Sequence, residues 1–336
     1  MSAPILAVAG LRKHFPIRKG LLLREVGQVK AVDGVSFAVQ PGETLGLVGE
    51  SGCGKSTLGR TLVRLYEPTA GTIRYRGEDF LALSGERLRT MRRSLQMIFQ
   101  DPFASLDPRM TIARILAEPF KVHDICSPRE CLERAAALLE TVGLKAAHLN
   151  RYPHEFSGGQ RQRISIARAI ALNPDLVVAD EPVSALDVSI QAQILNLMKD
   201  LQQEFALTYI FISHDLSVID HFCDRIAVMY LGKIIEMAPR EELFGNPRHP
   251  YTQALINAIP KVGQGKRRMT QALTGEVPSP INPPSGCHFH PRCPKRFEGC
   301  DSGFPSLREE RRDHFVACRL YSDAVEDEVI LRSTGT

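Results

Sequence analysis

From about Leu6 to Phe244 the chain alternates short apolar runs with helix-like stretches. Thr44–Val48, Leu176–Ala179 and Tyr209–Ser213 are apolar almost throughout, the pattern of strands buried on both faces in a parallel sheet. Each run gives way to a loop rich in Gly, Asp, Glu or His and then to a helical stretch. That order predicts an α/β fold with its chemistry at the carboxyl ends of the strands. Between Asp101 and Leu172 helix formers dominate, as in Cys131–Thr141 and Gln160–Leu172, and predict a helical subdomain, about 101–172, inserted into the α/β core. Beyond roughly Gly245 the prolines at 247, 250, 260, 278, 280, 283, 284, 291 and 294 interrupt any long element. The expected division is therefore a domain over 1–245 and a separate, loop-rich C-terminal module over 246–336.

Composition narrows the partners. A chain of 336 residues can bury a substantial core, and a net charge of +4 offers no concentrated basic stripe for nucleic acid. No run approaches the roughly 18 apolar residues of a membrane-spanning helix. Met1–Gly10 has no basic n-region or cleavage site, so the expected location is cytoplasmic, with any membrane role exerted through partners. Ile17–Gln28, carrying Arg18, Lys19 and Arg24 among leucines, reads as an exposed loop, with contact to the membrane surface as the alternative.

The first chemical signal is Gly49-Glu-Ser51-Gly52-Cys53-Gly54-Lys55-Ser56, followed by Thr57, directly after an apolar strand and directly before a helix. Glycines let the backbone curl so that successive N–H groups face phosphate oxygens, and the helix adds its positive end. Lys55 would reach the β- and γ-phosphates, and the Ser56 hydroxyl would coordinate Mg²⁺. A strand ending in Asp180-Glu181 supplies the carboxylates such a site needs: Asp180 for the metal, Glu181 to orient or deprotonate the attacking water. Ser157-Gly158-Gly159-Gln160 opens a further helix, with Ser157 a plausible N-cap, and presents a second potential phosphate-binding terminus.

Taken together, the Lys55 loop, Gln100, Ser157–Gln160, Asp180-Glu181, Ser184-Ala-Leu-Asp187 and His214 stand in the order and spacing of the ABC-ATPase cassette, which the chain resembles over roughly 5–245. The resemblance implies a P-loop NTPase fold and transport-coupled ATP hydrolysis. It implies that Phe15 stacks on adenine and that Gln100 approaches Mg²⁺ and the water. Ser157 and Gly159 would bind the γ-phosphate of ATP held on a partner chain, with Asp187 at the seam of a head-to-tail dimer. His214 would contact the γ-phosphate and Glu181.

His249-Pro-Tyr-Thr-Gln-Ala-Leu255, Gly275–Pro280 and Pro283–Cys287 resemble the C-terminal extension of dipeptide/oligopeptide-importer ATPases, as does Tyr152–Gln160. That likeness implies two membrane permease subunits, an extracytoplasmic peptide-binding protein, a second related ATPase subunit in a heterodimer, and a peripheral position on the cytoplasmic face of the membrane. Another cargo, such as nickel or glutathione, and a non-transport ABC ATPase stay open as alternatives. Four of the eight cysteines crowd together as Cys287-x₅-Cys293-x₆-Cys300-x₁₇-Cys318. Four thiolates can hold Zn²⁺ or an iron–sulfur cluster, and the spacing lacks the C-x₂-C knuckles of structural zinc. The family resemblance implies [4Fe–4S]; Zn²⁺ and unligated thiols are the alternatives.

Overall fold

The computed structural model describes residues 3–20, 24–259 and 275–321. Within the expected C-terminal module, residues 260–274 (with Pro260) and 322–336 lie outside the described residues, as does the centre of the Ile17–Gln28 stretch. The chain opens with β1 (Leu6–Lys19) and β2 (Arg24–Val39), which pair antiparallel as far as Lys19 opposite Arg24. The expected loop there is instead the two arms of a hairpin. Its outer side chains face solvent, so the polar composition hid a backbone ladder that needs no burial to close.

After β3 (Thr44–Val48) come α1 (Lys55–Leu62), β4 (Ala70–Tyr75), β5 (Glu78–Asp79), α2 (Gly85–Ser94) and β6 (Leu95–Ile98). The helical stretch follows with α3 (Pro102–Ser105), α4 (Ile112–Val122), α5 (Pro128–Thr141) and α6 (Gly158–Ile170). Ser127 starts α5 by accepting the Glu130 N–H, with Pro128 in the first turn where its missing donor costs nothing. The α/β alternation then resumes through β7 (Leu176–Asp180), α7 (Val188–Phe205), β8 (Thr208–Ile212), α8 (Leu216–Phe222), β9 (Arg225–Tyr230) and β10 (Lys233–Pro239). The last elements are α9 (Arg240–Gly245), α10 (Pro250–Asn257), β11 (Arg308–Arg311) and β12 (His314–Val316).

Two sheets result. One is antiparallel, in the order β2-β1-β4-β5; the other runs β11-β12-β10-β9-β3-β8-β7-β6. Within it β9, β3, β8, β7 and β6 are parallel, and every residue of β3, β7 and β8 is buried. Alternate side chains serve two cores, as the two-residue period of a strand requires. Leu176, Val178, Ile210 and Ile212 face the core shared with the antiparallel sheet. Val177, Ala179, Tyr209 and Phe211 face the core shared with α4–α8. Burial on both faces explains why these runs are uniformly apolar.

The described residues past 245 are loop-rich, yet they share sheet and core with what precedes them. β12 pairs with β10 through Glu236 opposite Val316, and the buried Glu236 carboxylate accepts from His314 at 2.8 Å. Tyr251, Ile256 and Phe289 belong to the same core as the helical stretch. Cys126 and Cys131, at the start of α5, are joined as a disulfide, while Cys287, Cys293, Cys300 and Cys318 are free.

Candidate active site

The loop between β3 and α1 curls because two of its glycines hold positive φ where no side chain fits. Gly49 has φ 152° and Gly54 has φ 107°. A Cβ on Gly54 would lie 1.9 Å from the Ala31 carbonyl oxygen, and one on Gly49 2.1 Å from that of Met229. Lys55, buried at the first turn of α1, folds back to donate to the Gly49 and Glu50 carbonyls at 2.7 and 3.1 Å. Its ammonium thus waits inside the loop, at the place where phosphate oxygens would compete for it. Cys53 is buried beneath the same loop, and burial pushes its thiol up.

Ser56 faces across to the end of β7, donating from its hydroxyl to Asp180 Oδ1 at 2.7 Å. Asp180 is completely buried, and its other oxygen, Oδ2, has no hydrogen-bond partner among the described residues. Desolvation raises its pKa, opposed by the Ser56 bond and by Arg60, whose guanidinium stands 3.7 Å from Oδ2. A buried carboxylate oxygen without a donor, beside a hydroxyl, fits a hydrated divalent cation. Sequence reasoning missed Arg60. It lies one turn beyond Ser56 on α1, so helical spacing was the only available signal.

Glu181 follows at φ 47°, a left-handed conformation rare for a residue with a side chain. Its N–H is held by the Ile212 carbonyl at 3.0 Å, and its carbonyl accepts from the Ser184 hydroxyl at 3.1 Å. This turn directs its carboxylate toward the ends of β6 and β8. There Oε2 accepts from Gln100 Nε2 at 3.0 Å and meets His214 Nδ1 at 3.1 Å. Two side chains, from the ends of β6 and β8, therefore converge on one carboxylate oxygen at the end of β7.

The remaining expected residues stand elsewhere. Ser157 caps α6 as the sequence suggested: its hydroxyl accepts the Gln160 N–H at 3.4 Å while Gln160 Oε1 accepts the Ser157 N–H at 3.1 Å. Gly158 and Gly159 pack against Leu186 and Ile190, so this terminus is built against the segment containing Asp187, the N-cap residue of α7. None of the hydrogen bonds of Ser157, Gln160 or Asp187 found among the described residues runs to the Lys55 loop. Phe15 is half-buried on β1, edge-on to Tyr66 with ring centroids 5.5 Å apart.

Cys287, Cys293, Cys300 and Cys318 line a single cavity of about 20 Å³ together with His249 and His290. Burial pushes the Cys287 and Cys318 thiols up to about 11, with the neighbouring thiols contributing, and raises Cys293 as well. His249 Nδ1 accepts the Tyr251 N–H at 3.1 Å, which leaves the proton of a neutral ring on Nε2, buried and without a partner among the described residues. Among the described residues no three His, Cys, Asp or Glu side chains stand in an arrangement that would hold a metal ion. The geometry therefore lends no support to a preformed site for either the expected [4Fe–4S] cluster or the Zn²⁺ alternative.

A phosphate loop after β3, paired carboxylates at the end of β7 with β8 between the two strands, a helical insertion and an antiparallel side sheet together define a P-loop ATPase of the cassette type. Residues 32–184 match the family model described as ABC transporter, and 235–300 match that described as oligopeptide/dipeptide transporter, C-terminal region. The oligopeptide transport ATP-binding protein AppF of Bacillus subtilis is 58% identical, over 95% of this chain and 98% of the relative. The dipeptide transport ATP-binding protein DppF of Haemophilus influenzae is 52% identical, over 94% and 97%. Among solved structures, the ATP-binding cassette MJ0796, a dimer in a post-hydrolysis state bound to ADP and Pi, has a TM-score of 0.62 at 29% identity, covering 70% of this chain and 98% of that one. The chain belongs to the ABC transporter family of ATP-binding proteins, in the branch that carries the oligopeptide/dipeptide C-terminal region. It is an ATPase, for which ATP is substrate and Mg²⁺ the general cofactor. Among the described residues no helix is long and apolar enough to cross a membrane.

Proposed function

We propose that this chain is the ATP-hydrolysing subunit that powers import of dipeptides or oligopeptides through membrane permease subunits. The observation that carries the reading is the convergence of Gln100, Glu181 and His214 beside the Lys55 loop and Ser56–Asp180, in a chain whose C-terminal region matches that of peptide transporters.

The roles follow from position. Lys55 exchanges its two carbonyl acceptors for the β- and γ-phosphates, and the N–H groups of 51–57 cradle them. Ser56, Asp180 and Gln100 would hold Mg²⁺, which when bound neutralises charge on the phosphate oxygens. Glu181 holds the attacking water in line, with Gln100 and His214 fixing its carboxylate; His214, half-exposed, can turn toward the γ-phosphate. Phe15 offers its ring to adenine. Ser157, Gly159 and Asp187 serve the site of a second cassette across a head-to-tail dimer. The γ-phosphate would then bridge two chains, and its loss on hydrolysis reopens them. The second cassette is a related chain, the binding protein is extracytoplasmic, and this subunit sits peripherally on the cytoplasmic face. Residues 1–245 form the cassette and 246–336 its extension.

The finer reading of the cysteines is a [4Fe–4S] cluster held by Cys287, Cys293, Cys300 and Cys318. Its support is that all four line one cavity with the unpartnered His249 Nε2, a donor of the kind that sulfur ligands accept. A bound cluster would supply a cross-link among loops that carry little regular structure. An anaerobically purified sample holding no iron would remove it.

The functional test is reconstitution with the membrane subunits and binding protein. ATP hydrolysis should rise when a dipeptide is supplied, and Lys55→Ala should abolish that rise. Stimulation by nucleic acid, with none by the membrane subunits, would overturn the proposal.

A further inference from the structure

Glu50, the second residue of the phosphate loop, is held from the C-terminal side of the chain at both its backbone and its side chain. Its N–H donates to the Tyr251 hydroxyl at 2.9 Å. Its carboxylate accepts two bonds from Arg292, Nη1 to Oε2 at 2.8 Å and Nη2 to Oε1 at 3.0 Å. Arg292 Nη1 also reaches the Tyr230 hydroxyl at 3.3 Å, and its side chain is only 5% exposed. A two-pronged guanidinium–carboxylate pair fixes orientation as well as distance, and at this burial solvent does little to weaken it.

The carbonyl of the same residue is one of the two acceptors that park the Lys55 ammonium. Where Glu50 sits therefore sets where Lys55 waits and how the following N–H groups point. The two residues that hold Glu50 are themselves tied to the thiol cavity. Arg292 immediately precedes Cys293, and its N–H closes a turn onto the Phe289 carbonyl at 2.9 Å. Tyr251 lies in the first turn of α10, whose N-cap, His249, lines the cavity. Phe289 packs against Tyr251 and Tyr230, with centroids 5.3 and 5.4 Å away, so the pieces form one solid wedge between cavity and loop. Wedges of packed rings and buried ion pairs have discrete arrangements and transmit displacement.

We propose that Arg292 and Tyr251 are positioning residues for the ATP-binding loop, through which the state of the thiol cavity sets nucleotide affinity. The proposal rests on the reading of the Lys55 loop as the ATP site. Linkage makes the effect reciprocal: whatever the cavity does to ATP affinity, bound ATP does to the cavity by the same factor.

The test uses the full chain and a non-hydrolysable ATP analogue. Arg292→Gln and Glu50→Gln should each weaken binding about tenfold, the loss of one charge-assisted pair, and the double variant should be no worse than either alone. In the reconstituted transporter the loss should fall on KM rather than kcat. Tyr251→Phe keeps the ring and deletes only the hydroxyl, and should weaken binding by roughly threefold to tenfold with a melting temperature lowered by no more than about a few degrees. In the full chain with any iron removed by chelation, so that the thiols are free, the analogue should also slow iodoacetamide alkylation of the four cavity thiols, followed by peptide mass spectrometry, in the parent and not in Arg292→Gln. Affinities within twofold of the parent for both Arg292→Gln and Tyr251→Phe, or alkylation rates indifferent to nucleotide, would overturn the proposal. If instead the parent chain bound the analogue no better than Lys55→Ala, the reading of the ATP site itself would fail.

Discussion

Replacing Glu181 by Gln isolates chemistry from folding at this site. The substitution is nearly isosteric, and the side chain is only 12% exposed. Glu181 Oε2 accepts from Gln100 at 3.0 Å and faces His214 Nδ1 at 3.1 Å; an amide oxygen can take the same two donors, though more weakly. Exchanging charge-assisted for neutral hydrogen bonds costs about 1 kcal/mol, so the fold and the Lys55 loop should survive. What disappears is the carboxylate that can accept the proton of the attacking water. A positioned general base is worth about 10²–10⁴ in rate, or roughly 3–5 kcal/mol of barrier at 1.36 kcal/mol per decade. The assay is ATP hydrolysis by the reconstituted transporter, beside analogue affinity and sizing of the cassettes with ATP. The expected outcome is a kcat at least a hundredfold lower, affinity within a few-fold, and a dimer that persists in ATP. A kcat within tenfold of the parent would refute the assignment, because no hydrogen-bond rearrangement at Oε2 restores a base.

Other substitutions probe neighbouring parts. Gly54→Ala forces a Cβ to 1.9 Å from the Ala31 carbonyl at a φ of 107°, so the loop must rearrange; nucleotide affinity should vanish, with a lowered melting temperature. Ser56→Ala leaves the buried Asp180 carboxylate without its one hydrogen bond, a cost of about 1–3 kcal/mol, and should shift the Mg²⁺ concentration needed for half-maximal turnover upward. Ser157→Ala removes the cap of α6, about 1 kcal/mol in thermal or urea unfolding, and should abolish ATP-dependent dimerisation while a single chain still binds ATP. Burial alone would raise the pKa of Asp33, but Lys233 at 3.0 Å and His14 at 3.1 Å outweigh it and hold the carboxyl below its ordinary 3.8. Its contribution to stability is therefore present above that value and lost as pH falls through the lowered folded one. Urea unfolding at pH 5 and pH 3 should show a smaller acid loss in Asp33→Asn than in the parent.

The strands that position the site were legible because burial on both faces leaves an unbroken apolar run. Thr44–Val48 and the runs ending at Asp180 and Ser213 are found where their composition put them, to within a residue. Ser157 announced itself in the same local way, since a cap bonds within its own first turn. The hairpin arms over Ile17–Gln28 were not legible, because exposed strands are held by backbone bonds to which side chains contribute little.

The chemistry divides along the same line. The phosphate loop is local: its glycines, lysine and serine are contiguous, so the order of residues alone determined that this chain binds nucleotide. Everything that turns a loop into a site is non-local. Ser56 meets Asp180 across 124 positions, Gln100 meets Glu181 across 81, and Arg292 meets Glu50 across 242. Such pairs leave no periodicity, because strand order and not sequence order decides which loop ends adjoin. Only the tertiary structure could bring the segment between Cys287 and Cys293 against the phosphate loop, and with it the Arg292–Glu50 pair.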